Sequence, residues 1–343
     1  MQDAARGIHG GDLADHVRSR GCDVKVMAVA GYGPIDRLRP FEVPLPSPGT
    51  REIRVRVTAS ALNPADFKVI LGRMKFLHAR NTPLVMGYDF SGTVDAVGPS
   101  VTEVSIGDDV FGCLPYGPGN RRGAFAEALI ARSHEVARKP ASVTHRVAAA
   151  AATSGLTGLQ AIRELGRLPP EGGRLLVTGV SGGVGSLAVG IGVRLGAQVT
   201  ALGSGAGLDI AARMGASTLW DRTARDVPGD VTAAFDVVFD ASAAYRWREW
   251  RHALRPGGAF VTTLPSLGYV LDKLRSVPDN TRVHLVAVKS RTDALQQLAV
   301  WLADGLEVPL DSVVPVSRVA EGLARLQSGA ARGRIAVDVA GGF

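Results

Sequence analysis

Gly-Gly-Arg-Leu-Leu-Val-Thr-Gly-Val-Ser-Gly-Gly-Val-Gly, residues 172 to 185, decides how this chain folds. It reads as a buried strand (Leu175, Leu176, Val177), a glycine turn, and the start of a helix with small residues turned to a sheet. Gly179 allows the tight turn, Gly182 and Gly183 let the backbone approach phosphates, and Gly185 lets helix and strand pack closely. Backbone N–H groups at such a helix N-terminus can hold a pyrophosphate. An alanine- and glycine-rich helix follows over Ser186 to Leu195, and a second apolar strand, Gln198 to Leu202, completes a βαβ unit. Gly179, Ser181, Gly182, Gly183 and Val184 are therefore the candidate dinucleotide contacts, with a purely structural turn as the alternative.

The chain has 343 residues, long for one domain and comfortable for two. It is 46% hydrophobic and 21% charged, as in a globular enzyme with a sizeable core. Cys22 and Cys113 are isolated, so neither a zinc cluster nor a disulfide framework is expected, and a cytoplasmic setting suits them. No apolar run approaches the roughly 20 residues of a membrane span. Residues 1–23 mix Arg6, Arg18 and Arg20 with Asp3, Asp12 and Asp15 and lack an apolar run, which argues against a secretory signal; they read as a disordered extension or as the product of a misplaced start codon. The net charge of +7 comes from arginines spread along the whole length without aromatic interleaving, so nucleic acid is not the expected partner.

Residues 24–150 read as β-rich, with short strands at Val24–Val29, Glu52–Ala59, Gly92–Val97, Asp109–Gly112 and Ala124–Ile130 between Pro and Gly clusters. Residues 151–305 alternate strand and helix, the pattern of a parallel sheet with crossover helices. Strands are expected at 174–178, 198–202, 217–219, 235–240, 259–264 and 283–288, and helices at 184–195, 207–214, 243–253 and 292–303. Residues 306–343 return to strand (Ser312–Val316), helix (Val319–Leu326) and strand (Arg334–Val339), and the last strand is expected to rejoin the first domain.

Several motifs carry a family resemblance over residues 24–340. They are Leu62-Asn63-Pro64-Ala65-Asp66-Phe67-Lys68, the stretch from Pro83 to Val97 containing Gly87-Tyr88-Asp89, Ile106-Gly107-Asp108-Asp109-Val110-Phe111-Gly112, Ser154-Gly155-Leu156-Thr157 and Arg255-Pro256-Gly257-Gly258. Together they resemble the medium-chain dehydrogenase/reductase superfamily, in its zinc-free quinone oxidoreductase and enone/alkenal reductase branch. The resemblance implies an α/β chain with a GroES-like β-rich domain for substrate, a Rossmann doubly wound parallel sheet for NADPH, a cleft between them, and a homodimer.

Zinc-dependent relatives carry a Cys near Asn63 and a Gly-His-Glu where this chain has Gly87-Tyr88-Asp89, so no metal site is expected here. Without a Lewis acid, the favoured chemistry is hydride delivery to a conjugated double bond, which needs an aligned nicotinamide and a stabiliser for the developing enolate. The resemblance places the ammonium of Lys68 near the substrate carbonyl; a surface lysine paired with Asp66 is the alternative. Asn63 is expected to orient substrate or ribose, or else to cap the turn before Pro64. Thr157 falls where relatives meet the nicotinamide, and equally suits a helix cap. Tyr88 stands at a lost ligand position, as a pocket residue, a proton donor or a core aromatic. Tyr116 is expected as a lid residue or a loop aromatic. Some quinone reductases carry tyrosines in the segment of Lys68 and Met74, and their pattern has Gln at Gly190, which moves the expectation to the enone branch. NADPH:quinone reduction and NADPH binding without turnover remain the alternatives.

The second Rossmann strand ends Ala201-Leu202-Gly203-Ser204-Gly205-Ala206-Gly207 without the acid that would hold the ribose diol of NAD. Ser204 suits NADPH, the basic residue usual near Ala206 is missing, and Arg222 is expected to supply that charge. Arg334, in Gly333-Arg334-Ile335, resembles a Gly-Lys-Ile that reaches the cofactor phosphates, or is a strand-edge charge.

Overall fold

A computed structural model describes residues 23–78, 82–224, 231–263 and 267–343. Residues 1–22 of the expected N-terminal extension lie outside the described residues. In chain order the first half runs β1 (Asp23–Val29), β2 (Arg39–Pro44), β3 (Glu52–Ala61), α1 (Pro64–Ile70), β4 (Leu84–Val85), β5 (Asp89–Val97), β6 (Asp109–Cys113), β7 (Ala128–Arg132) and β8 (Val136–Arg138). Helix α2 (His145–Leu159) then leads to β9 (Arg174–Thr178), α3 (Gly183–Arg194), β10 (Gln198–Gly203), α4 (Ala206–Arg213), β11 (Thr218–Asp221) and β12 (Phe235–Asp240). The chain closes with α5 (Trp247–Trp250), β13 (Leu254–Thr262), α6 (Leu267–Arg275), β14 (Arg282–Leu285), α7 (Thr292–Ala303), β15 (Leu310–Pro315), α8 (Val319–Gln327) and β16 (Arg334–Asp338).

The second half makes one parallel sheet in the order β11-β10-β9-β12-β13-β14. Reading outward from β9, the order reverses between β9 and β12, which leaves a crevice beyond the carboxyl ends of these strands. Leu175, Leu176 and Val177 are fully buried at its centre, each contributing about 1.5–3 kcal/mol of apolar burial. The first half forms a mixed sheet, β15-β16-β3-β5-β6-β8 with β7 on β3, and a small sheet, β2-β1-β4. The last strand does rejoin this half: β16 pairs antiparallel with β3, with Ala336 opposite Ala61 and Asp338 opposite Ala59.

Helix α2 was not legible as a helix. Its residues Ala148 to Leu159 are all buried, so no polar stripe marks the period. It packs against β3, β5, β6 and β16 on one side and α3 and α7 on the other, crossing the boundary expected at residue 150. The small Ala148–Ala152 side chains let both halves approach it. Four shifts follow from local packing. The strand expected at 124–130 forms at Ala128–Arg132, the helix expected at 243–253 is only Trp247–Trp250 with a short 3-10 turn, β13 begins at Leu254, and α6 fills a stretch for which no element was expected.

Candidate functional site

The glycine turn sits at the carboxyl end of β9. Gly179 has φ +70°, and a Cβ there would lie 2.8 Å from Ser242. A Cβ on Gly185 would lie 2.3 Å from the Gly179 carbonyl oxygen, so only glycine lets α3 leave the strand this tightly. Gly182 caps α3, and a Cβ on it would meet nothing closer than the Gly179 carbonyl at 3.5 Å. The first N–H groups of a helix have no partner within it, and here they face the crevice side of the sheet.

A cavity of about 240 Å³ opens beside the turn, lined by Gly179, Ser181, Ser204, Arg222, Ser242 and Tyr245 among others. Among the described residues its lining includes no acidic side chain. Asp221, next to Arg222, directs its carboxylate to the backbone N–H and hydroxyl of Thr223 (2.9 and 2.7 Å). The floor is held by buried Asp240, which accepts the hydroxyls of Thr178 (2.7 Å), Ser242 (2.6 Å) and Thr262 (3.3 Å) and the Tyr245 N–H (3.1 Å). One carboxylate thus ties together the ends of β9, β12 and β13. The donors and the glycine approach fit a dinucleotide.

A second cluster lies in the half built on the mixed sheet. Asn63 caps α1, and the carboxylate of Asp66 accepts the N–H groups of Asn63 (2.7 Å) and Gly87 (3.2 Å). Burial, with Asp89 nearby, pushes the Asp66 carboxyl up to about 7 against those two donors. Asp89 is fully buried on β5 and accepts from the Thr153 N–H (2.8 Å), the Thr153 hydroxyl, Asn63 Nδ2 (2.9 Å) and Arg334 Nη2 (2.5 Å). Burial raises its carboxyl above the ordinary value, opposed by Arg334 and these donors. Cys113 is buried beside the cluster, and burial pushes its thiol up to about 12, far from a reactive thiolate.

Several expectations change on these contacts. Asn63 does not present its amide to a ligand: Nδ2 goes to Asp89 and Oδ1 to Arg334 (3.0 Å). Arg334 is not a strand-edge charge reaching out to phosphate; it is buried, with donors on Ala150, Asn63 and Asp89. Thr157 lies within α2 rather than at a cap, its hydroxyl donating to the Thr153 carbonyl (2.7 Å). Tyr88 is a core aromatic: its hydroxyl donates to the Leu77 carbonyl (3.2 Å), lies 3.4 Å from His78 Nδ1, and its ring stacks on Tyr116 at 4.0 Å. Burial raises its phenol well above the ordinary range, so it holds its proton. Lys68 is half-buried on α1 and makes no ion pair or side-chain hydrogen bond among the described residues.

Asp66, Asp89, Thr153 and Asp240 were not singled out from the sequence. Asp66 had a signal, since it stands three residues after the capping Asn63. Asp89 and Asp240 each end an apolar run as a carboxylate with no neighbouring positive residue, and their partners come from distant segments. Among the described residues no group of three or more His, Cys, Asp or Glu side chains is placed to hold a metal ion. Asn63 and Asp89 hold a guanidinium between them and Tyr88 donates to a backbone carbonyl, so this donor set does not fit zinc.

Residues 49–141 match the alcohol dehydrogenase GroES-like domain, and residues 214–337 match a domain described as zinc-binding dehydrogenase. A chloroplastic quinone-oxidoreductase homolog of Spinacia oleracea is 26% identical over 90% of this chain and 96% of its own. The 2-methylene-furan-3-one reductase of Solanum lycopersicum is 28% identical over 92% of this chain and 79% of its own. The quinone oxidoreductase of Coxiella burnetii superposes with a TM-score of 0.81 over 93% of this chain and 100% of its own, at 24% identity.

Proposed function

The chain belongs to the medium-chain dehydrogenase/reductase superfamily, and on that premise we propose that it is an NADPH-dependent, zinc-independent reductase of α,β-unsaturated carbonyl compounds. Residues 151–305 hold the cofactor, and residues 24–150 with 306–343 hold the substrate. The observation that carries the reading is the cavity at the glycine turn, which has Ser204 and Arg222 in its lining and no acid among its described lining residues. A carboxylate there would repel a 2′-phosphate, whereas a guanidinium attracts one and can bind it in two parallel hydrogen bonds. Gly179, Ser181, Gly182, Gly183 and Val184 receive the pyrophosphate, and Thr157 lies on the nicotinamide side.

When bound, NADPH supplies the hydride. The protein's own part is to align the acceptor and to stabilise negative charge as it develops on the carbonyl oxygen. Lys68 does this: its ammonium has no competing acid among the described residues and sits on the first helix of the substrate half. A pre-placed positive group in a site closed to water accounts for a large share of such a barrier reduction. The resemblance also implies a homodimer, which light scattering would read as twice the mass of the 343-residue chain.

The 2-methylene-furan-3-one reductase among the relatives bears a name that describes an enone, which favours the enone reading; the quinone-oxidoreductase names favour a quinone. Loss of NADPH absorbance with a panel of enones, enals, enoyl thioesters and quinones, with and without chelator, separates them. Chelator-insensitive turnover of an enone or enal is the expected result. Turnover of quinones alone would move the substrate class, and tight NADPH binding without turnover of any acceptor would overturn the enzyme reading.

A further inference from the structure

Arg334 is the first residue of β16, the strand that closes the substrate half, yet its contacts run to the glycine turn of the other half. The N–H of Gly333 donates to the Ser181 carbonyl (2.8 Å), and Gly182 and Gly333 pair as an isolated parallel bridge. The Arg334 stem lies against the first residue of α3, since a Cβ on Gly183 would fall 2.1 Å from Arg334 Cδ. Beyond the stem, Nε donates to the Ala150 carbonyl of α2 (2.9 Å), Nη1 to Asn63 Oδ1 (3.0 Å) and Nη2 to Asp89 Oδ2 (2.5 Å). The side chain is 4% exposed.

We propose that Arg334 is a positioning residue: held by Asp89 and Asn63, it ties the last strand of the substrate half to the glycine turn and fixes the turn's amides for the cofactor phosphates. Its donors toward Ala150, Asn63 and Asp89 are spent, which leaves it poorly placed to bind phosphate itself. Breaking one side of a buried pair leaves an uncompensated charge, so the anchor resists displacement. Asp89 does not hydrogen-bond to the turn; of its partners, Arg334 is the one whose stem lies against it.

The inference rests on the cofactor reading of the turn, and its test separates the two. Asp89→Asn keeps the shape and removes the charge; Arg334→Met removes the tie; Arg334→Lys keeps a cation. Hydrogen exchange of the cofactor-free protein is followed in a peptide spanning 179–186 and in one spanning 198–203. Asp89→Asn is expected to speed exchange about tenfold in the first while leaving the second within about twofold, and to weaken NADPH binding by a similar factor. Arg334→Lys recovers part of both effects, and Arg334→Met adds little on top of Asp89→Asn. Unchanged exchange at the turn in Asp89→Asn overturns the proposal, as does tighter NADPH binding, the result if Asp89 only withholds Arg334 from the phosphate. Should the wild-type protein bind neither NADPH nor NADH, the cofactor reading fails, and with it the phosphate-positioning role, whatever the exchange shows. If Arg334→Met does not fold, the Asp89→Asn comparison still decides.

Discussion

Asp66 and Lys68 stand two residues apart on α1 but do not pair, because the Asp66 carboxylate is turned onto the N–H groups of Asn63 and Gly87. The acid nearest in sequence is therefore spent on the backbone, and the ammonium is left for another anion. Lys68→Met is expected to lower kcat with an enone by about 10²-fold while leaving NADPH affinity unchanged; Lys68→Arg should retain part of the rate. An unchanged kcat in Lys68→Met would return Lys68 to the surface.

The same Asp66 makes stability depend on pH. Its carboxyl ordinarily titrates at 3.8 and in the folded protein near 7, so between these values the native state holds a proton the unfolded chain has released. Its stabilising contribution is complete below about 4 and is lost as pH rises to about 7, on the order of a few kcal/mol. His78 acts in the opposite sense. Burial lowers it from 6.5 to about 4, so its contribution is lost as pH falls through that window. Urea midpoints at pH 5 and pH 8 should converge in Asp66→Asn relative to wild type. Identical differences in the two proteins would show that Asp66 titrates in the ordinary range.

Arg222 tests the choice of nucleotide. It borders the cavity with Ser204, and its charged neighbour Asp221 is occupied by Thr223. Arg222→Ala should weaken NADPH binding by about tenfold or more while NADH affinity stays within about threefold, a gap that narrows as salt is added. Equal loss for both nucleotides would place Arg222 away from the 2′-phosphate.

The parallel-sheet half was legible because its strands are continuous apolar runs and its turn needs glycine at fixed spacing; Gly179 and Gly185 are required by contacts of 2.8 and 2.3 Å that no side chain could accept. The return of β16 to the first sheet was legible from the pattern of Arg334–Val339. Helix α2 was hidden by its burial on every side. The Asp89 cluster was hidden for a different reason: its partners Asn63, Thr153 and Arg334 lie 26, 64 and 245 residues away and meet only once both halves are folded. Residue type pointed to Asn63, Tyr88 and Arg334 as ligand contacts, and in the structure each makes hydrogen bonds within the protein that the sequence does not show.

The two readings of the glycine turn, cofactor cradle and structural turn, separate at Gly182. The conformation of this residue (φ −89°, ψ 165°) suits any side chain, and a Cβ would meet only the Gly179 carbonyl at 3.5 Å. Gly182→Ala should therefore fold with stability within about 1 kcal/mol of wild type, helped slightly by the lost chain entropy of glycine in the unfolded state. Its methyl, however, stands where the pyrophosphate must come close to the backbone, so NADPH affinity should fall about tenfold or more. Gly185→Ala is the control, since its Cβ would press on the Gly179 carbonyl and cost about 1–3 kcal/mol of stability whether or not a cofactor binds. Thermal unfolding and NADPH titration of both variants give the answer. If Gly182→Ala binds NADPH as wild type does, the turn is glycine-rich for packing alone, and the cofactor must be sought elsewhere along the crevice.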